Sequence, residues 1–81
     1  MELWIRSQDK EKLVKVNDIA IESDSEDGKT IRGYNIVGNY EILGFYTLHS
    51  RALEILDEIQ EIMTNLADSN LKIIQYEMPK D

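Results

Sequence analysis

Between residues 51 and 66 (RALEILDEIQEIMTNL) apolar side chains recur at Ala52, Leu53, Leu56, Ile59, Met63 and Leu66, and Ile55 and Ile62 widen the stripe. This i, i+3, i+4, i+7 recurrence predicts an amphipathic helix. Glu54, Asp57, Glu58 and Glu61 take the opposite face. Thr47 is the predicted N-cap, and the helix is expected from Leu48 to about Ala67, with Asp68, Ser69 and Asn70 ending it. No other long helical pattern exists, so the remaining segments must supply the surface it covers.

Those segments read with period two. In residues 2–7 (ELWIRS), Leu3 and Ile5 share one face, and Glu2, Trp4 and Arg6 the other, as in a half-buried strand. Residues 8–11 are polar and predict a turn. Residues 12–22 predict a second strand, but Val14 and Val16 have the opposite parity to Ile19 and Ile21. An extra residue is needed to change parity, so a β-bulge is expected near Asn17 and Asp18, with a tight turn as the alternative. Residues 23–29 (SDSEDGK) predict a solvated hairpin tip. Residues 30–37 predict a third strand, Gly38 and Asn39 a two-residue hairpin turn, and residues 40–46 a fourth strand. Gly44 inside that strand predicts a bulge or a close backbone approach. Residues 71–78 predict a fifth strand, apolar on both faces and stopped by Pro79, either covered on both sides or paired with another subunit. The expected fold is α+β. It is a single small domain over residues 1–81, a four-stranded antiparallel meander packed on one face by one amphipathic helix, with a short C-terminal strand.

A chain of 81 residues buries only roughly 60% of its unfolded surface, so its stability is marginal without help. It has no cysteine and a single histidine, His49, which removes disulfides, thiolate sites and a histidine-based zinc site. Oligomerisation is the remaining common route, and a homo-oligomer is expected. No apolar run approaches ~18 residues and the N-terminus lacks a signal-peptide pattern, so a cytoplasmic protein without membrane contact is expected. The net charge of −7 is uneven. Residues 21–30 carry four acids against Lys29, and residues 51–70 five acids against Arg51. Such acidity argues against phosphate-backbone nucleic-acid binding.

Catalytic signatures are absent. The glycines at 28, 33, 38 and 44 form no phosphate loop, and His49 beside Ser50 has no orienting acid. Asp24, Glu26, Asp27 and Gly28 lack the closing glutamate of a calcium loop. The helix acids read as a solvated face. No enzyme, metal or cofactor is expected. The candidates for binding are arginines on open positions: Arg6 beside Trp4 on the first strand, Arg32 beside Tyr34 on the third, and Arg51 at the helix start. Arginine forks recognise phosphate and carboxylate, and aromatic rings stack on bases. The structural alternative pairs Arg6 with an acid across the sheet.

Two segments carry a resemblance. WIRSQDKEKLVKV and LGFYTLHSRALEILDEIQ, the second of the form LG-x-Y-T-x-x-x-R-A-L-E-x-L-D-E-I, resemble small uncharacterised proteins of phages and prophages of low-GC Gram-positive bacteria. The match covers most of residues 3–63 and is specific to a sheet-plus-helix type. Many small phage proteins of this kind counter host defence, and in small size, strand-borne arginine and expected oligomerisation this chain is similar to one such group, the sponges against Thoeris defence. That likeness implies a homo-oligomer that sequesters a cyclic or ADP-ribose-derived nucleotide signal; the candidate contacts, Arg6, Trp4, Arg32, Tyr34 and Arg51, come from their strand and helix positions and not from the likeness. The alternative from another class is an acidic inhibitor or adaptor that binds a host protein, with the helix as a nucleic-acid mimic.

Overall fold

The computed structural model describes residues 2–25, 28–67, 69–70 and 72–81, with residues 24 and 25 by backbone alone. Six strands and one helix follow in the order β1 (Glu2–Arg6), β2 (Leu13–Val16), β3 (Asp18–Ser25), β4 (Gly28–Tyr34), β5 (Tyr40–Tyr46), α1 (His49–Asn65) and β6 (Ile73–Glu77). They form an α+β fold, but the single meander is replaced by two three-stranded sheets, β2-β1-β6 and β3-β4-β5. Strand β1 pairs antiparallel with β2 and parallel with β6, whereas β3-β4-β5 is antiparallel throughout.

The division falls at Asn17. The parity change expected there as a bulge within one strand is a bend at which the chain leaves one sheet and enters the other. Strands that switch sheets make such corners. Asn17 N–H donates to the Tyr34 carbonyl at 2.8 Å, tying the bend to β4. Val16 turns inward just before it and closes on Gly33, where a Cβ would lie 2.5 Å from Val16 Cγ1 and 3.0 Å from Leu43 Cδ1.

Strand β5 contains the bulge expected at Gly44. Ile31 faces Gly44 and Arg32 faces Ile42, so Leu43 is the extra residue. Leu43 is buried, while Ile42 (51% exposed) and Phe45 (44%) stay on the outer face. The adjacent turn is longer than two residues. Strand β4 ends at Tyr34 rather than residue 37, and Asn35 closes the loop by donating its N–H to the Asn39 carbonyl. The Asn35 side chain also accepts the Val37 and Asn39 N–H groups. Gly38 supplies the positive φ of +93°. The first hairpin tip is shorter than the expected 23–29 loop, because β3 runs to Ser25 and β4 begins at Gly28. The calcium-loop residues Glu26 and Asp27, and the side chain of Asp24, lie outside the described residues, as do Asp68 and Leu71.

Helix α1 lies within the predicted limits, but Leu48 is its N-cap and no side chain caps it, in place of Thr47. Ala52, Ile55 and Ile59 are buried against Leu3, Ile5 and Val16 of one sheet and Ile31, Leu43 and Tyr46 of the other, with Ile74 and Met78 completing the core. The helix therefore roofs both sheets. The terminal strand, expected to be sandwiched or shared with another subunit, pairs with β1, turning Ile74 inward and leaving Ile73 exposed.

Gln8 joins the halves at a third place. Its N–H donates to the Leu43 carbonyl, its side-chain oxygen accepts the Phe45 N–H, and its amide nitrogen donates to the Lys80 carbonyl. Tyr46 reaches the same tail, its hydroxyl donating to the Pro79 carbonyl at 2.6 Å. Burial pushes the Tyr46 hydroxyl up to about 12 from its ordinary value of 10.0. Burial and the hydrogen bond to Glu58 push the Tyr76 hydroxyl up as well. The fold holds the protonated phenol. Its contribution is therefore complete below pH 10 and is lost as pH rises toward 12. Urea titrations should show stability falling above about pH 10, and Tyr46→Phe should be less stable by about 1 kcal/mol at neutral pH. The gap between the two proteins should narrow as the pH rises. A gap that stays constant as the pH approaches 12 would contradict this.

Candidate functional site

The five candidate contacts do not converge. Trp4 and Arg6 lie on the outer face of β1, where the Trp4 indole donates to Glu2 Oε1 at 3.0 Å and the Arg6 guanidinium donates to the Lys10 carbonyl at 3.1 Å. Arg6 thus props the β1–β2 turn, in which Ser7 and Asp9 are also bonded and Lys10 takes a positive φ of 68°. The expected cross-sheet ion pair of Arg6 is replaced by this carbonyl contact. Arg51 is engaged within the chain. Its Nε donates to the Asp81 carbonyl at 2.8 Å, and its guanidinium lies 3.5 Å from Glu54 and 3.9 Å from Glu58.

Arg32 and Tyr34 do come together, on the other sheet. The Arg32 guanidinium carbon sits 4.3 Å from the centre of the Tyr40 ring, and the Tyr34 and Tyr40 rings are 5.8 Å apart. The Tyr34 hydroxyl donates to Glu22 at 3.2 Å. Ile42 and Phe45 extend this outer face of β4 and β5. Neither was singled out from sequence, although Ile42 and Leu43 are adjacent apolar residues on a strand with a glycine, which is the mark of a bulge that sends one of them outward.

Arg6 lines a hollow of about 490 Å³ with Leu13, Gln75, Tyr76 and Glu77, and a more apolar concavity lies elsewhere. A groove of about 720 Å³ runs beside α1, lined by Leu3, Val16, Ile19, Leu56, Ile59, Met63, Ala67 and Ile74, with Asn17, Asp18, Gln60 and Thr64 as its polar residues. Core side chains form its floor, and the sheet-switching bend at Asn17 forms one wall. The periodicity places Leu56, Ile59 and Met63 in the helix stripe, but a stripe wider than the sheet beneath it reads as core until the sheet is known to be split. A second hollow of about 390 Å³ lies at the start of α1 between Phe45, Leu48, Arg51 and Lys80. Among the described residues no three histidine, aspartate or glutamate side chains gather as a metal site, and no helix is long and apolar enough to cross a membrane.

The chain matches no known family model, no curated protein and no solved structure.

Proposed function

We propose that this chain is a non-catalytic binding module that acts on a protein partner through the groove beside α1, as an acidic inhibitor or adaptor. The observation that supports this reading is the groove itself: apolar, concave and bordered by the helix that carries much of the negative charge. Apolar concavities with a few polar groups at the rim are the common form of binding sites. In the phage setting suggested by the sequence resemblance, the partner is a host protein. A photo-reactive side chain at Met63 should cross-link one partner in a host-cell extract, and one at Ile42 should not. Cross-linking at Ile42 alone would move the working surface to the sheet.

A second reading keeps nucleotide sequestration by a homo-oligomer. Its support is the Arg32–Tyr40 stack beside Tyr34, which offers a cation and two rings on one open face. Because Arg6 and Trp4 belong to the other sheet, they would join that site only from a second copy. Calorimetry against cyclic and ADP-ribose-derived nucleotides separates the readings. Binding abolished by Arg32→Ala and kept by Leu56→Glu favours sequestration, whereas no heat from any nucleotide favours the protein partner.

A further inference from the structure

From the charges around the groove we infer that its occupant is a cationic amphipathic helical segment of another protein, with an apolar stripe seated on the floor and lysines or arginines reaching the rim. This rests on the groove reading above and adds the chemistry of the partner. Along α1 the groove runs from Leu56 to Thr64, about 12 Å, and it continues past the helix end to Ala67, which suits a short helix anchored at i, i+3 or i+4, and i+7. No lysine or arginine lines it. Asp18 lines the wall formed by the bend, and Asp57 and Glu61 are exposed on α1 at the solvent margin, each three residues before a lining residue, Gln60 and Thr64. None of these three carboxylates forms an ion pair among the described residues, whereas Glu54 and Glu58 are engaged by Arg51. The rim thus carries unneutralised negative charge on an apolar floor. The same charge argues against the acidic helix of a second copy as occupant, because like charges would meet at the rim.

The test uses the full chain with 13C-methyl methionine. Met63 lines the groove and Met78 is buried in the core, so the first methyl reports occupancy and the second reports an intact fold. The probe is a leucine–lysine amphipathic helical peptide of about four turns, with a leucine–glutamate peptide of the same pattern as its partner. The lysine peptide should shift the Met63 methyl saturably and leave Met78 in place, with affinity falling as salt is raised. The combined Asp18→Asn, Asp57→Asn and Glu61→Gln variant should bind about 10-fold more weakly, consistent with three exposed ion pairs. Equal binding of both peptides without salt dependence would overturn the cationic occupant while leaving the groove as a binding site. If neither peptide moves Met63, both the cationic occupant and the groove reading are overturned. A Met63 shift that grows with protein concentration alone, together with a doubling of mass, would assign the groove to a second copy and overturn the inference.

Discussion

Ile55→Ala should destabilise the fold by about 2–5 kcal/mol, the range for removing a fully buried branched side chain whose cavity does not close. Ile55 is completely buried at the middle of α1, where the helix roofs both sheets. In a domain of this size the loss corresponds to a melting temperature lower by more than about 10 °C. Leu56, one residue on, lines the open groove and is only half-buried. Leu56→Ala removes the same kind of side chain from a site that water already reaches, so its cost should be clearly smaller. Urea titration of the two variants checks both the orientation of the helix and the openness of the groove. Equal losses would mean that the groove is closed in solution.

The second large effect is expected at the corner. Gly33→Ala would set a methyl group 2.5 Å from Val16 Cγ1, across the junction between β2 and β4. Valine has a stiff, branched side chain and cannot swing clear, so overpacking should cost about 1–3 kcal/mol. Val16→Ala alone leaves a cavity and is also destabilising. The two faults offset each other, because the added methyl enters the space the valine vacates. The double variant should therefore be more stable than the sum of the single losses, a coupling of at least about 0.5 kcal/mol in a double-mutant cycle. Strict additivity would show that β2 and β4 do not meet there, and the two-sheet arrangement would be wrong.

How far the fold was legible follows from what a sequence pattern reports. Strand β1 and helix α1 each bury one face with an unbroken period, and both were legible to within a few residues. The bulge in β5 was legible because Gly44 is the kind of residue a bulge or close approach needs; a Cβ there would meet the Tyr46 ring at 2.9 Å. The corner at Asn17 was half legible. Opposite parities of Val16 and Ile19 show that something intervenes, yet a bulge within one sheet and a bend between two produce the same change. Pairing partners leave no periodic trace, so the parallel alignment of β6 with β1 and the division into two sheets could not be read. Thr47 lost the N-cap to Leu48 because capping depends on where the backbone leaves the strand, one residue later than its composition suggests.

The candidate site was legible only as chemistry. Arg6, Trp4, Arg32 and Tyr34 do occupy outward strand positions, as alternation requires, but alternation does not say which strands share a sheet. The groove was hidden for a related reason. Its floor is made of residues that any pattern assigns to the core, and it stays open only because the sheets part at Asn17.

The surface through which the chain binds is the central claim, and the affinity of the partner cross-linked at Met63 tests it most directly. That affinity should be measured for the unaltered chain, for Leu56→Glu and for Arg32→Ala, with the Met78 methyl signal confirming the fold of each. A buried charge on the groove floor should weaken binding by at least about 100-fold, or about 2.7 kcal/mol. Loss of the Arg32 guanidinium should change it by less than about threefold, since Arg32 stands on the outer face of the other sheet. Binding abolished by Arg32→Ala and untouched by Leu56→Glu would contradict the account and place the site on the Tyr34–Tyr40 face.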